Sequence, residues 1–168
     1  VSSRLLAWML RDVLRCGTNS TDKQLPTLAF NVSPRLRRAL LQGLFSGDGA
    51  ITPVQQGRNL MFEYATTSKG LADGVVLLLQ SLGVVPSIRE RWMNKSKRPA
   101  YLIRVSGIRQ LRVLRGVFGA AKRRRITARL RGYQREIAQH GFVRRDGCVL
   151  LPVRKVAASS DSSHVYSL

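Results

Sequence analysis

Apolar residues recur every three or four positions in several stretches of the chain, and this spacing is typical of amphipathic helices. The predicted helices cover residues 1–15, 34–49, 68–83, 108–114 and 122–138. Elsewhere apolar and polar residues alternate, which is the period of a strand with one buried face. The predicted strands cover residues 50–56, 58–66, 87–93, 101–105, 148–156 and 164–168. Helices interleaved with paired strands predict an α+β fold with an antiparallel sheet.

The central predicted helix has clear signals at both ends. Ser33 and Pro34 resemble an N-cap and a first helical position, and Gly49 closes the run. Gly43 and Gly47 are one turn apart, so a second helix can approach closely there. The stripe that contains them consists of Leu36, Leu40, Gly43, Leu44 and Gly47.

Asp48 lies at the C-terminal end of this predicted helix. The helix dipole is negative at that end and repels an anion, so an unpaired carboxylate is unfavourable there. Two such helix ends side by side would bring together two carboxylates, and a divalent metal or a proton would be needed to offset their repulsion.

The run Leu41-Gln42-Gly43-Leu44-Phe45-Ser46-Gly47-Asp48-Gly49 resembles the LAGLIDADG motif of homing endonucleases, with Asp48 at the position of the metal-binding acid. Ser46 departs from the motif's first acid. Residues 62–72 and 79–84 resemble the strand-to-helix segment that follows the motif in intein endonucleases. Residues 165–168 resemble the last strand of an intein splicing (Hint) domain. The resemblance implies the element order α-β-β-α-β-β-α with an antiparallel DNA-binding sheet.

The same resemblance implies that the chain consists of three segments. Residues 1–32 would be the tail of a truncated first LAGLIDADG repeat, 33–139 a complete repeat with a C-terminal basic helix, and 140–168 the C-terminal strands of a Hint domain. A single-chain family member draws one acid from each of two repeats. A second repeat is therefore expected upstream in a longer chain or from a second copy.

Charge points to a polyanionic partner. The 168 residues include 29 basic and 9 acidic side chains, for a formal charge of +20. Nucleic acid is the first interpretation, because neutralising phosphates releases counterions, and a membrane surface is the rival. No apolar run is long enough to span a bilayer, so we expect a cytoplasmic protein located with the DNA. Cys16 and Cys148 lie far apart, which argues against a zinc site or a disulfide framework.

The family resemblance supplies the candidate catalytic residues. Asp48 and the carbonyl of Gly47 would hold Mg²⁺ or another divalent cation, which suits phosphodiester hydrolysis. Lys122 resembles the family's active-site lysine, and Lys23 occupies the equivalent place at the end of the truncated repeat. A cation beside the scissile phosphate would stabilise developing charge. The alternative for each lysine is a solvated surface cation.

The sheet is the expected reader of double-stranded DNA, since an antiparallel ribbon fits the major groove. The candidates on its DNA-reading face are Thr52, Gln56, Tyr64, Thr66, Arg89, Arg91 and Arg104. The basic turn with Asn94, Lys95, Lys97 and Arg98 would contact phosphates, which position the protein without specifying sequence. For each strand residue, an ordinary structural role is the alternative.

Three functions compete. The first is an intein-associated, metal-dependent DNA endonuclease, weak or inactive as this fragment because the second acid is absent. The second is a non-cleaving DNA- or RNA-binding module, such as a transcription regulator or an intron maturase. The third is protein splicing, which needs a nucleophile at one junction and a terminal Asn at the other; this chain contains neither, so the fragment itself should not splice.

Overall fold

The computed structural model describes residues 3–54, 59–92, 98–132, 141–153 and 155–156. The chain divides into two compact units, residues 1–137 and 138–168. The first unit holds the helices α1 (Arg4–Trp8), α2 (Pro34–Gly47), α3 (Lys69–Ser81), α4 (Ile108–Leu114) and α5 (Ala120–Arg131), and the strands β1 (Gly49–Val54), β2 (Asn59–Thr66), β3 (Ser87–Trp92) and β4 (Pro99–Ser106). The second unit holds a hairpin of β5 (Val143–Arg145) and β6 (Cys148–Leu150).

The four strands of the first unit form one antiparallel sheet in the order β1-β2-β4-β3. Phe62 pairs with Val105 and Tyr64 with Ile103, and all four side chains are buried in the core with residues of the helices. Side chains alternate between the two faces of a strand, and the other face carries the exposed residues Thr52, Arg89 and Arg91 around a buried Leu102. We call it the open face. The predicted α+β class with an antiparallel sheet is confirmed.

Helix α2 begins at Pro34 as predicted and buries Leu41 and Phe45. The Phe45 ring lies 4.4 Å from that of Phe62 and 5.6 Å from that of Tyr64, measured between centroids. Gly43 and Gly47 lie away from this packing, whereas Leu40 and Leu44 of the same stripe are partly buried against the core. A Cβ added to Gly43 or Gly47 would find nothing within 4 Å among the described residues. The end of α2 is thus fixed by aromatic packing, while Gly43 and Gly47 are not covered by any residue that the structure describes.

Helix α3 has the predicted boundaries. The Ser68 hydroxyl accepts a hydrogen bond from the Leu71 N–H at 3.2 Å, which is an N-cap. The same hydroxyl donates to the carbonyl of Lys23, so the start of α3 is hydrogen-bonded to the chain segment that precedes α2. Gly83 follows the helix with a φ of +78°, a conformation that favours glycine.

Other predicted elements differ from the structure. The predicted helix over residues 1–15 consists of α1 and a π-helical turn at Met9–Val13, and neither buries a side chain. The helix predicted over 122–138 is α5, which starts two residues earlier; its predicted end lies outside the described residues. The strand predicted over 148–156 stops at Leu150. The predicted strand over 164–168 is not within the described ranges. None of the helices in those ranges is long and apolar enough to cross a bilayer.

Candidate active site

Asp48 caps the C-terminal end of α2. Its N–H donates to the Leu44 carbonyl at 3.2 Å, and the strand β1 starts at the next residue. The side chain is exposed, and its carboxylate forms no hydrogen bond or ion pair with any residue that the structure describes. A carboxylate held at the negative end of a helix without a partner is available for a cation.

Lys122 reaches the same helix end from α5. Its Nζ donates to the carbonyl oxygens of Phe45 at 2.9 Å and Gly49 at 2.8 Å. The last carbonyls of a helix lack intrahelical partners, so the ammonium satisfies one of them and offsets the negative end of the dipole. Lys122 is therefore placed within the turn that presents Asp48, where it binds backbone rather than the carboxylate.

Gly49 is required by the sharp passage from α2 into β1. A Cβ at this position would lie 2.7 Å from the carbonyl oxygen of Phe45 and 2.9 Å from its Cα. Both contacts are with backbone, which cannot move without distorting the end of the helix. The Gly-Asp-Gly sequence thus fixes where the carboxylate points, because the chain turns immediately after it.

Tyr64 lies beneath this turn. It pairs with Gly49 across β1 and β2, and its side chain is buried. Burial raises the pKa of the Tyr64 hydroxyl, and the negative charge of Asp48 raises it further. The second effect places the carboxylate close to the phenol.

Lys23 lies at the same end of the sheet. The carbonyls of Ser20 and Lys23 accept hydrogen bonds from Thr67 and Ser68, which directly follow β2. Gly49 pairs near that end of β2, so the segment and the motif turn share one edge of the fold. The Lys23 side chain is exposed and forms no ion pair with Asp48. The structure brings the two residues to one end of the sheet without a contact between them.

The register of the strands decides which predicted DNA contacts share a face. Thr52, Arg89, Arg91 and Arg104 are all on the open face. Placing Tyr64 and Thr66 there was wrong, because both are in phase with the buried residues; Tyr64 packs in the core, and the Thr66 hydroxyl accepts from the Ser68 N–H. Gln56, Lys95 and Lys97 lie outside the described residues. Arg98 is exposed just before β4.

Arg104 has a partner that the sequence analysis missed. Its Nε donates to the Glu63 carboxylate at 2.5 Å, and the two residues are directly opposite on β2 and β4. Both side chains are half-buried on the open face. The signal was present in the sequence, since Glu63 is an acid in the polar phase of a strand in a very basic chain, but its partner depends on the pairing of non-consecutive strands.

The residues at the end of α2 suit a hard divalent cation. Carboxylate and carbonyl oxygens are the ligands that Mg²⁺ prefers, and Asp48 and the Gly47 carbonyl supply one of each. Among the described residues there is no group of three or more His, Cys, Asp or Glu side chains that would hold a metal alone. The chain therefore offers a partial ligand set, which fits a cation shared with other oxygen ligands.

Comparison with known proteins identifies the domain. The family described as LAGLIDADG-like domain matches residues 35–119, which contain α2, the sheet and α4. An uncharacterized protein of Methanocaldococcus jannaschii is 34% identical over 168 residues, the whole of this chain and 19% of that protein. An ATP-dependent DNA helicase of Thermococcus kodakarensis is 32% identical over 63% of this chain and 10% of its own length.

A DNA polymerase of Thermococcus sp. GE8 is 37% identical over 49% of this chain and 4% of its own length. The chain thus spans less than a fifth of each of these three relatives. The family match covers residues 35–119, just over half of the chain. It includes Asp48 at the end of α2 and the four-stranded sheet. This chain belongs to the family of LAGLIDADG-like domains.

Proposed function

We propose that the chain is the DNA-cutting part of an intein-associated homing endonuclease, a metal-dependent hydrolase of phosphodiester bonds in double-stranded DNA. The observation that carries the proposal is the exposed carboxylate of Asp48 at the end of α2, which has no partner among the described residues, with Lys122 held at the same turn. LAGLIDADG domains are generally nucleases and typically use divalent metals, which agrees with this reading of the site.

Asp48 and the Gly47 carbonyl would hold the cation. When bound, a divalent ion supplies a water of lowered pKa and neutralises charge on the phosphate. The chain's own contribution is position. The aromatic packing of Phe45 and the Gly49 turn fix the carboxylate, and Lys122 neutralises carbonyls that would otherwise repel a phosphate.

The open face of the sheet would lie in the major groove. Arg89 and Arg91 are exposed there, with Thr52 on the outer strand, and arginine forks suit guanine edges and phosphates. Arg104 is held by Glu63, so its guanidinium has a defined orientation. The side chains that would reach DNA thus project from strands, which hold them more firmly than loops do.

The glycine stripe of α2 would receive a second LAGLIDADG repeat. Leu36 is 56% exposed, and the positions of Gly43 and Gly47 have open space in front of them. Packing a second motif helix here would bring a second acid beside Asp48 and complete the ligand set. That repeat would come from upstream in a longer chain or from a second copy, so this fragment alone should cut weakly.

The intein association rests on how the relatives are built. Segments similar to this chain form about a tenth or less of a DNA helicase and a DNA polymerase, two proteins with different names and the same module. A module that recurs as a small part of different proteins behaves like an insertion. Residues 140–168 would then be the returning strands of the Hint domain, of which the hairpin β5–β6 is the described part.

A non-cleaving LAGLIDADG module remains the alternative function. The exposed arginines of the open face fit this function as well as they fit a nuclease. A DNA- or RNA-binding regulator or maturase would use the open face in the same way and would not depend on Asp48.

A plasmid-nicking assay with Mg²⁺ separates these functions. We expect the 168-residue chain to bind supercoiled DNA and cut it slowly, and a tandem fusion of two copies to cut faster because it supplies two acids. Asp48→Asn in both copies should abolish cutting and leave binding unchanged. Asp73→Asn is the matched control, since Asp73 is a half-exposed acid that forms an ion pair with Lys69 on the surface of α3.

Cutting that survives Asp48→Asn would overturn the assignment of the metal ligand. Binding by the tandem protein with no cutting in Mg²⁺ or Mn²⁺, on a pool of random-sequence duplexes, would favour the binding module. Fast double-strand cleavage by a proven monomer would contradict the need for a second acid.

A further inference from the structure

A cleft of about 480 Å³ lies between β1 and α5. The residues that line it are Gly49, Ala50, Ile51, Pro53, Leu60, Lys122, Arg125, Ile126, Ala128 and Arg129. We call it the edge cleft. Ala50 and Ile51 belong to opposite faces of β1, so the cleft runs along the strand's outer edge rather than over one face. It lies off the open face that would read double-stranded DNA.

The edge cleft carries positive charge without acid. Lys122, Arg125 and Arg129 follow one another at three- and four-residue spacing on α5, and no acidic residue lines the cleft. Residues 107–132 contain nine basic side chains and no acid. Arg125 and Arg129 are exposed and form no hydrogen bond or ion pair through their side chains with the residues that the structure describes. Two unpartnered guanidinium groups at the rim of a cleft suit an anion with several acceptor oxygens.

The floor of the cleft is apolar. Leu60 and Ile126 are buried beneath it, and Ile51 and Pro53 form the wall along β1. The volume is within the range of small-ligand sites and is too small for a duplex. A ligand that fits would have a flat or compact apolar part that packs on the floor and a phosphate that binds the arginines of the rim.

The edge cleft is continuous with the candidate active site. Gly49 and Ala50, which line it, directly follow Asp48, and Lys122 belongs to both. An unpaired strand end next to a phosphate at Asp48 would therefore reach the cleft. A paired base is inside the helical stack and cannot enter, so the occupant must be unpaired.

We infer that the edge cleft binds an unpaired nucleotide of a DNA strand, with its phosphate on Arg125 and Arg129 and its base on the apolar floor. This inference extends the proposed nuclease site. It predicts that the chain binds a duplex with a single-stranded end more tightly than a blunt duplex of the same length at equal salt.

Fluorescence anisotropy with short 5′-phosphorylated single strands, overhanging duplexes and blunt duplexes tests the inference. Arg125→Gln combined with Arg129→Gln should weaken single-strand binding by about tenfold or more, because charge-assisted hydrogen bonds are lost. The matched control is Arg112→Gln combined with Arg115→Gln, two exposed arginines of α4 and the turn after it that lie outside the cleft. It removes the same charge and should cost about twofold or less.

Ala128→Phe provides a second test that leaves the charge unchanged. Ala128 is exposed and lines the cleft, so a larger side chain should fill the space without disturbing the core. We expect it to remove the preference for overhanging over blunt duplex. Circular dichroism of each variant confirms that the fold is retained, and inorganic phosphate as competitor distinguishes a nucleotide site from a bare anion site.

Equal single-strand affinity for wild type, the cleft variants and the control would overturn the inference. Complete competition by inorganic phosphate would also overturn it, because the cleft would then be a bare anion site. The same holds if an acidic peptide competes with the strand and a nucleotide does not. Blunt-duplex binding that depends on Arg89 and Arg91 tests the proposed function separately. If only that dependence fails, the open face is wrong and the cleft assignment stands.

Discussion

Replacing Lys122 with methionine tests how the end of α2 is held. The ammonium donates to two carbonyls, of Phe45 at 2.9 Å and Gly49 at 2.8 Å, and the bonds are partly buried. Hydrogen bonds to a charged group contribute about 1.5–3 kcal/mol each, and water can reach part of this site after substitution. We therefore expect Lys122→Met to lower the free energy of unfolding by about 2–4 kcal/mol.

Urea denaturation followed by circular dichroism measures the change. A thermal melt gives a second readout: for a domain of this size, each kcal/mol corresponds to about 3–4 °C, so the melting temperature should fall by roughly 6–16 °C. The control is Lys69→Met, which breaks an exposed ion pair with Asp73 on α3 and should cost only about 0.3–0.5 kcal/mol. Equal destabilisation by the two substitutions would refute the structural role of Lys122.

Further substitutions probe the same region. Gly43→Ala should stabilise this chain by about 0.5–1 kcal/mol, because the site is open and glycine weakens a helix. Gly49→Ala should destabilise it by about 1–3 kcal/mol, because the added Cβ would meet the backbone of Phe45. Urea denaturation measures both changes. Glu63→Gln should make DNA binding more salt-dependent, by about one unit in the slope of log affinity against log salt, because Arg104 loses its internal counter-charge. Asp48→Asn should lower the pKa of Tyr64 by removing a negative neighbour, which NMR titration of the tyrosine ring detects.

These outcomes have controls within the chain. The raised pKa of Tyr64 should not change the free energy of unfolding at pH values below the ordinary tyrosine pKa. Above that pH the free energy of unfolding should decline, because Tyr64 loses its proton more readily in the unfolded state than in the folded state. Glu90→Gln removes the same charge from the opposite face of the sheet and should leave the salt slope unchanged. A destabilised Gly43→Ala would show that the stripe is already covered, and a Tyr64 pKa unchanged by Asp48→Asn would place the carboxylate elsewhere.

Local signals in the sequence were sufficient for most of the first unit. The start of α2 at Pro34, the Ser68 cap and the Gly83 end of α3 are each determined by a few neighbouring residues, and each is confirmed. The predicted hydroxyl cap at Ser33 was wrong, because Ser33 is at the N-cap position but its side chain forms no cap hydrogen bond. Alternation also placed Arg89 and Arg91 on one face of their strand. These predictions succeeded because caps, turns and strand phase depend on short-range geometry.

Other features depend on which strands become neighbours. Arg104 is a polar residue in an alternating strand, and only the pairing of β2 with β4 shows that it faces Glu63. The contact of Lys122 with the Phe45 carbonyl joins residues far apart in sequence. The edge cleft likewise needs α5 to pack beside β1. No periodicity in the sequence contains this information.

The α1 segment shows a different difficulty. Its apolar spacing predicts a helix with a buried face, yet Leu5 is 72% and Trp8 51% exposed. Amphipathic spacing indicates that a face prefers burial, and it does not say which surface covers that face. The glycine stripe of α2 presents the same situation, with the second repeat as the proposed cover.

Metal binding at Asp48 tests the central claim most directly. We would titrate Mn²⁺ into the isotope-labelled chain bound to duplex DNA and follow paramagnetic broadening of backbone amides by NMR. Broadening centred on Gly47, Asp48 and Gly49, and lost in Asp48→Asn but retained in Asp73→Asn, is the expected result. Broadening that persists in Asp48→Asn, or that centres on another part of the chain, would contradict the assignment of the metal site to the end of α2.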